Sequence, residues 1–375
     1  MGQGLLPRQL SQGLLALAGL GAGAVAGPGV TGAGTAMLTT AAASAATAAA
    51  AATAPAVALL GLASTPAAHA ASTAPSPFQK RFQPLYTTVF AEGGRFSGSA
   101  MSADLETLEP YLQQLRATKR EIFLFYYTQA TVYGRRNMAA PAAKATAKAL
   151  ATIPATSDPQ LAYAHFFLRY SSIRWLADSQ QYEEALEQIQ AFQKQYPLWQ
   201  VGNLPLEMRW EKRGNETQAR DYPTQLQMLG VYEDAGYVLH EQGRYREARQ
   251  ANETLLPFAQ QRLQTLGMPE RLRGLLSNLA QNCYELGDFQ QAGKYLQQRL
   301  DIAYKAGDSA TVYDSYFQLM VLAHEQKQSQ QAQHWLAAYE TYATAQKNSE
   351  QLARAKELRA DLARMPTARK TPSAP

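Results

Sequence analysis

Four short strings with one pattern recur along the chain: QQYEEAL at 180–186, GRYREAR at 243–249, GDFQQAG at 287–293 and KQSQQAQ at 327–333. In each, an aromatic or small residue is followed by two polar residues and an alanine. Those alanines, Ala185, Ala248, Ala292 and Ala332, fall 63, 44 and 40 residues apart. The last two intervals each fit one helical hairpin. A recurrence of this kind constrains the fold more than any composition does, because a hairpin of that length cannot bury its apolar face alone and must stack on its neighbours.

The positions around the alanines extend the match. One unit carries Tyr232, Gly236, Gly243, Tyr245 and Ala248, and the next carries Leu276, Ala280, Gly287, Phe289 and Ala292. An earlier unit keeps Tyr182, Ala185 and a closing Pro197 but has Ile173 where a small residue belongs. The last keeps Ala332, with Met320, Lys327 and Ser329 standing at the small, glycine and aromatic places. Over about 200 residues the chain resembles the tetratricopeptide repeat family. The resemblance implies an all-α fold, a short right-handed α-solenoid of stacked helical hairpins, and a protein-binding scaffold.

Elementary physics agrees. Small residues at Gly236 and Ala280, set against Ala248 and Ala292, let the two helix axes of a hairpin approach closely. Gly243 and Gly287 suit the left-handed conformation that ends a helix. Asp288 can cap the helix that follows, with Gln291 closing a capping box. Gly267 and Pro269 repeat the stop-and-start punctuation.

The expected organisation is an Ala-rich, disordered leader at 1–78, a linker at 79–103, helices at 104–156 and the repeat array at 157–347. A capping helix at 348–365 and a disordered tail at 366–375 complete it. Within 104–156, stretches 105–115, 122–134 and 141–153 read as helices, and the pair around Tyr127 and Ala147 reads as a degenerate repeat. An N-cap serine, Ser349, opens the capping helix, whose polar circumference around a thin apolar stripe suits the end of a solenoid. The long first interval leaves an insertion near 198–223 with Trp199 and Trp210. It reads as a surface loop with its tryptophans tucked back onto the first repeat, the alternative being an added binding element.

Before Glu92 there is no acidic residue, and Arg8 is the one Lys or Arg before Lys80. Two apolar runs, at 14–27 and 55–63, precede Ala68-His69-Ala70, a small-residue pattern with a cut expected before Ala71. Export to a periplasm or the extracellular space is one reading of this segment. A disordered leader on a cytoplasmic protein and an organellar transit sequence are the others. Neither apolar run makes a convincing membrane span, so the mature chain is expected to have none.

The pI of about 9.1 carries little information, because Lys and Arg alternate with Glu and Gln along the helices rather than clustering as a nucleic-acid footprint does. No nucleic acid is expected among the partners. The single Cys283 excludes an internal disulfide and reads as a buried packing residue. His240-Glu241 and His324-Glu325 lack the second histidine of a zincin motif, and His324 and His334 fall on different helices of one hairpin. AEGGRFSGS at 91–99 has neither the strand nor the Lys-Ser pair of a phosphate loop. Asn215 and Asn252 each begin an N-E-T acceptor. No acid, base or nucleophile constellation converges, so neither enzyme chemistry nor a metal or cofactor is expected.

In the resembled family the first helix of each pair lines a concave groove. Its inward positions here are Phe167, Tyr170, Arg174 and Ala177; Gly230, Glu233, Tyr237 and His240; Gly274, Ser277, Gln281 and Tyr284; and Asp314, Phe317, Val321 and His324. The Lys and Asn of a carboxylate clamp are replaced by Tyr170 and Arg174, or by Glu233 and Tyr237. Tyrosines and amides in such a groove suit a peptide or protein partner. An adaptor, a sensory module responsive to a peptide and a structural spacer are the three functions consistent with this.

Overall fold

The computed structural model describes residues 75–90, 98–154, 158–213 and 216–364. The leader with its Ala68-His69-Ala70 pattern, most of AEGGRFSGS, Asn215 and the tail after 364 lie outside them. The described residues fall into two compact units, 75–243 and 244–364.

In the first unit, α1 (Pro77–Phe90) and α2 (Gly98–Leu108) precede α3 (Lys119–Arg135), α4 (Ala139–Thr152), α5 (Pro159–Asp178) and α6 (Tyr182–Gln195). A single turn, α7 (Leu198–Val201), leads to strands β1 (Arg209–Arg213) and β2 (Glu216–Arg220), and then to α8 (Gln225–Glu241). Packing runs in sequence, α3 on α4, α4 on α5, α5 on α6 and α6 on α8. The second unit holds α9 (Tyr245–Thr265), α10 (Leu272–Glu285), α11 (Phe289–Lys305), α12 (Ser309–Glu325), α13 (Ser329–Ala345) and α14 (Ser349–Arg364), each packed on the next. The fold is an α-solenoid of tetratricopeptide-like helical hairpins, with one β-hairpin inserted.

The turns between helices share one backbone device. A residue with positive φ stands at Gly267, Gly287, Gly307, Lys327 and Lys347, every twenty positions. At Gly287 the geometry is a Schellman motif: the Gly287 N–H donates to the Tyr284 carbonyl at 2.9 Å, and the Asp288 N–H to that of Cys283 at 2.8 Å. Lys327 makes the same pair of bonds, to His324 at 2.7 Å and, through Gln328, to Ala323 at 2.9 Å. The last repeat, eroded in sequence, therefore keeps the backbone of its neighbours.

The repeat alanines and aromatic residues are buried or half-buried within their own units. Ala185 and Ala248 are fully buried, Ala292, Ala332 and Ala280 nearly so, and Gly236 is buried. Tyr182, Tyr245 and Phe289 are half-buried beside them. Cys283 is buried in α10, and burial pushes its thiol pKa up to about 11, more than the nearby Arg249 lowers it.

Several expectations need correction. Residues 79–103 are not simply a linker: α1 occupies most of that stretch's first half, and its Phe78, Phe82, Tyr86 and Val89 are buried. Phe78 stacks on Phe82 at 5.1 Å, and both rings meet Phe125 of α3, at 6.4 and 5.8 Å. The helix expected at 105–115 is α2, which begins earlier and gives way at Leu108 to a 3-10 turn, Glu109–Tyr111. Pro110 supplies the reason, having no N–H and disfavouring the α conformation before it. Ala147 is exposed, while Ala142, Ala145 and Ala149 carry the buried face of α4.

Capping differs as well. Asp288 accepts from the Gln291 N–H at 3.2 Å, but the return bond of a box is missing, because the Asp288 N–H is spent on Cys283. Complete boxes form instead at Thr118–Glu121 and Thr224–Gln227. Asn348 caps α14 through the Gln351 N–H at 3.1 Å, so Ser349 is the first helical residue rather than the cap.

The described residues of the 198–223 insertion include a β-hairpin. β1 pairs antiparallel with β2 from Arg209↔Arg220 to Arg213↔Glu216. Its far end is anchored by Tyr222, whose ring lies 5.3 Å from Tyr163 and 5.4 Å from Phe166 of α5. Gln225 ties the approach down by donating to the carbonyls of Gly202 and Leu204 at 3.2 and 2.7 Å. Trp199 is not tucked back; it is 73 % exposed.

Candidate functional site

The groove positions of the first unit lie on α5 and α8. Gly230 lets these helices come together: a Cβ there would lie 3.4 Å from the Tyr170 hydroxyl, an ordinary contact that a longer side chain would exceed. Tyr170 is held from behind by Phe166, stacked at 5.9 Å with an interplanar angle of 13°. One turn on, the Arg174 guanidinium lies 4.0 Å over the Tyr237 ring. It also pairs with Asp178 at 3.1 Å and Asp234 at 3.6 Å. Arg174 and Tyr237 are thus brought together.

Arg174 is not an open cation for a partner's carboxylate. Its side chain is 17 % exposed and two carboxylates already face it. Burial opposes its charge, but Asp234, Tyr237, Asp178 and Glu241 outweigh this and raise its pKa. The acids bear the cost of crowding. Burial lifts Asp234 to about 6, against the lowering by Arg174 and with a further push from Asp178. Burial likewise raises Asp178 despite its partner Arg174. Tyr237 is raised for the same first reason. The outcome is a locked cluster, with more carboxylates than the one guanidinium neutralises, that fixes the Tyr237 ring. Glu233 and His240 lie half-buried on the same helix.

Asp178 and Asp234 were not among the expected residues. The first was legible as the i+4 partner of Arg174 on one helix. The second has no local signal, since only the packing of α8 beside α5 brings it there.

In the second unit, Ser277, Gln281 and Tyr284 run half-buried along α10. The Tyr284 ring meets Phe289 at 5.6 Å, and burial followed by Glu325 and Glu285 raises its pKa. His324 is half-buried near the end of α12. Phe317 does not line an open surface: it is 7 % exposed, and Val321 beside it is buried too. The reason is that α12 is apolar around most of its circumference, with Val312, Leu319, Met320 and Leu322 also buried. Its polar residues are turned to structural use. Arg299 of α11 donates to Asp314 at 2.6 Å and to the Ser315 hydroxyl at 3.1 Å, and Gln318 donates to Asp314 at 2.9 Å.

Among the described residues no group of His, Cys, Asp and Glu is arranged to hold a metal ion, and no helix is long and apolar enough to cross a membrane. Asn252 is fully buried in α9, so its N-E-T string is not presented as an acceptor.

No protein-family model matches the chain, and no curated protein does. Among solved structures it is similar to the crystal structure of the apo form of RapI, with a TM-score of 0.46 and 14 % sequence identity. That alignment covers 76 % of this chain and all of the other.

Proposed function

We propose that the chain is a tetratricopeptide-repeat protein that holds a peptide or protein partner on the faces of its first helices, without enzymatic chemistry. The observation that carries this reading is the preorganised aromatic face of α5 and α8. Tyr170 is braced by Phe166, and Tyr237 is held under the Arg174 guanidinium. Rings fixed before binding lose little entropy when a partner docks, and a tyrosine offers both apolar area and a hydrogen-bonding hydroxyl. The second unit, taken by itself, offers the same chemistry at Tyr284 and Gln281 of α10.

The test is capture of partners from an extract by the full chain and by variants with Tyr237→Ala and Tyr284→Ala. A partner held by these rings is lost or weakened by at least about tenfold, the scale of an aromatic hot spot. Unchanged affinity in both variants refutes the site. As part of the same proposal the protein is exported, on the strength of the Ala68-His69-Ala70 pattern. N-terminal sequencing of the mature chain checks this, and a retained leader refutes it.

A further inference from the structure

A strip of aromatic rings crosses α11, α12 and α13 apart from the groove positions of the second unit. Tyr304 lies 5.6 Å from Tyr342, Tyr342 lies 6.4 Å from Tyr316, and Tyr316 lies 6.2 Å from Trp335. Tyr342 is the anchor, with its ring buried and its hydroxyl 3.0 Å from that of Ser309. The others reach the surface: Tyr304 is 59 % exposed, and Tyr316 and Trp335 are half-buried. The Tyr304 and Tyr316 hydroxyls have no hydrogen-bond partner among the described residues. Asp301, exposed on α11, joins no ion pair among them. Its charge is felt at Tyr316, whose pKa is raised by burial first and then by Tyr304, Tyr342 and Asp301.

Such a surface has a definite complement. A polyproline II segment packs its prolines against tyrosine and tryptophan rings, leaves its backbone carbonyls free to accept from hydroxyls, and loses little entropy on docking. A basic residue beside the prolines would meet the carboxylate. The chain contains such a segment: residues 369–375 read RKTPSAP. Pro372 and Pro375 are three residues apart in sequence, the repeat of a polyproline II helix.

Its tether is suitably placed. α14 follows α13 after a short turn and packs back along it, so Arg364 returns toward the N-terminal half of α13, which carries Trp335. At about 3.1 Å per residue, seven residues span roughly 22 Å, comparable with the length of the ring strip. Covalent attachment holds the segment at an effective concentration on the order of millimolar, which favours it over a free competitor.

We propose that the Tyr304–Tyr342–Tyr316–Trp335 strip is the docking site for the chain's own residues 369–375, with Pro372 and Pro375 against the rings and the Arg369-Lys370 pair toward Asp301. The test uses the full chain with a benzophenone amino acid in place of Ser373, irradiated and mapped by mass spectrometry in a mixture of isotopically light and heavy chains. Crosslinks to α11, α12 or α13 within a single chain are the expected result. Asp301→Lys should lower their yield about twofold to fivefold, the scale of an exposed ion pair. Tyr304→Ala, at an exposed position that leaves the fold intact, and the Pro372→Ala, Pro375→Ala double variant should lower it as well. Crosslinks that are absent, that join light to heavy chains, that map elsewhere, or whose yield none of these substitutions changes would overturn the proposal.

Discussion

Gly134, near the end of α3, offers a direct test of how tightly the first unit is packed. A Cβ built there would lie 2.4 Å from Cζ2 of Trp175, 2.8 Å from Cε2 and 3.0 Å from Nε1. All three atoms belong to one rigid indole, so no terminal methyl can rotate out of the way. The indole is itself held edge-on to Phe167, 6.5 Å away. Gly134→Ala therefore sets two effects against each other. Helix propensity favours alanine by up to about 1 kcal/mol. Displacing the indole costs about 1–3 kcal/mol, at the upper end here because several ring atoms are involved. The net expectation is destabilisation by about 1–2 kcal/mol, read as a lowered urea midpoint with Trp175 fluorescence altered. Two controls isolate the cause. In a Trp175→Leu background the same substitution should be neutral or stabilising. Gly274→Ala on α10, where a Cβ meets nothing within 4 Å, should stabilise by up to about 1 kcal/mol. A Gly134→Ala protein as stable as the parent would refute the packing argument.

Asp234, with a folded pKa of about 6 against an ordinary value of about 3.9, binds its proton more tightly in the folded state. The stability this confers is complete below about pH 4 and is lost as pH rises through about 6, a swing on the order of 3 kcal/mol. Asp234→Asn should flatten that part of the stability profile measured by urea midpoints from pH 4 to 7; an unchanged profile refutes the assignment. Cys283, buried and with its thiol pKa near 11, should resist a water-soluble disulfide reagent at pH 8 and react fully once urea unfolds the chain. Prompt native reactivity would count against its burial. Phe82→Ala should destabilise the first unit by about 3–5 kcal/mol in denaturant titrations, whereas a residue in a mere linker would cost nothing.

What could be read from the residues divides along physical lines. The hairpin array was legible because its signal is local and repeated: the small residues at Ala248 and Ala292, the turns at Gly243 and Gly287, and the apolar spacing between them. The missed elements fail that condition in different ways. α1 carries a helical stripe, Phe78, Phe82 and Tyr86, but it stands beside an Ala-rich tract and a glycine-rich segment whose composition suggested a linker. The β-hairpin at 209–220 has charged residues in place of a clear apolar alternation, so nothing marked it as sheet. Arg174 and Tyr237 were legible as repeat positions on facing helices, though not as partners of each other. Asp234 was not, because its role depends on the packing of α8 beside α5. Phe317 was misplaced because a groove position carried over from a repeat pattern says nothing of how apolar the rest of its helix is.

The left-handed turn that recurs at Gly267, Gly287 and Gly307 is occupied by lysine at Lys327 and Lys347. For a residue with a Cβ that conformation costs about 1–2 kcal/mol relative to glycine. In a linear array each hairpin is held by its immediate neighbours, so strain at a turn is relieved by releasing the helices beyond it. Amide hydrogen exchange should accordingly grow faster from α10 toward α14, and the second unit should open as a zip from its far end rather than all at once. Lys327→Gly and Lys347→Gly would slow that opening without adding a single side-chain contact.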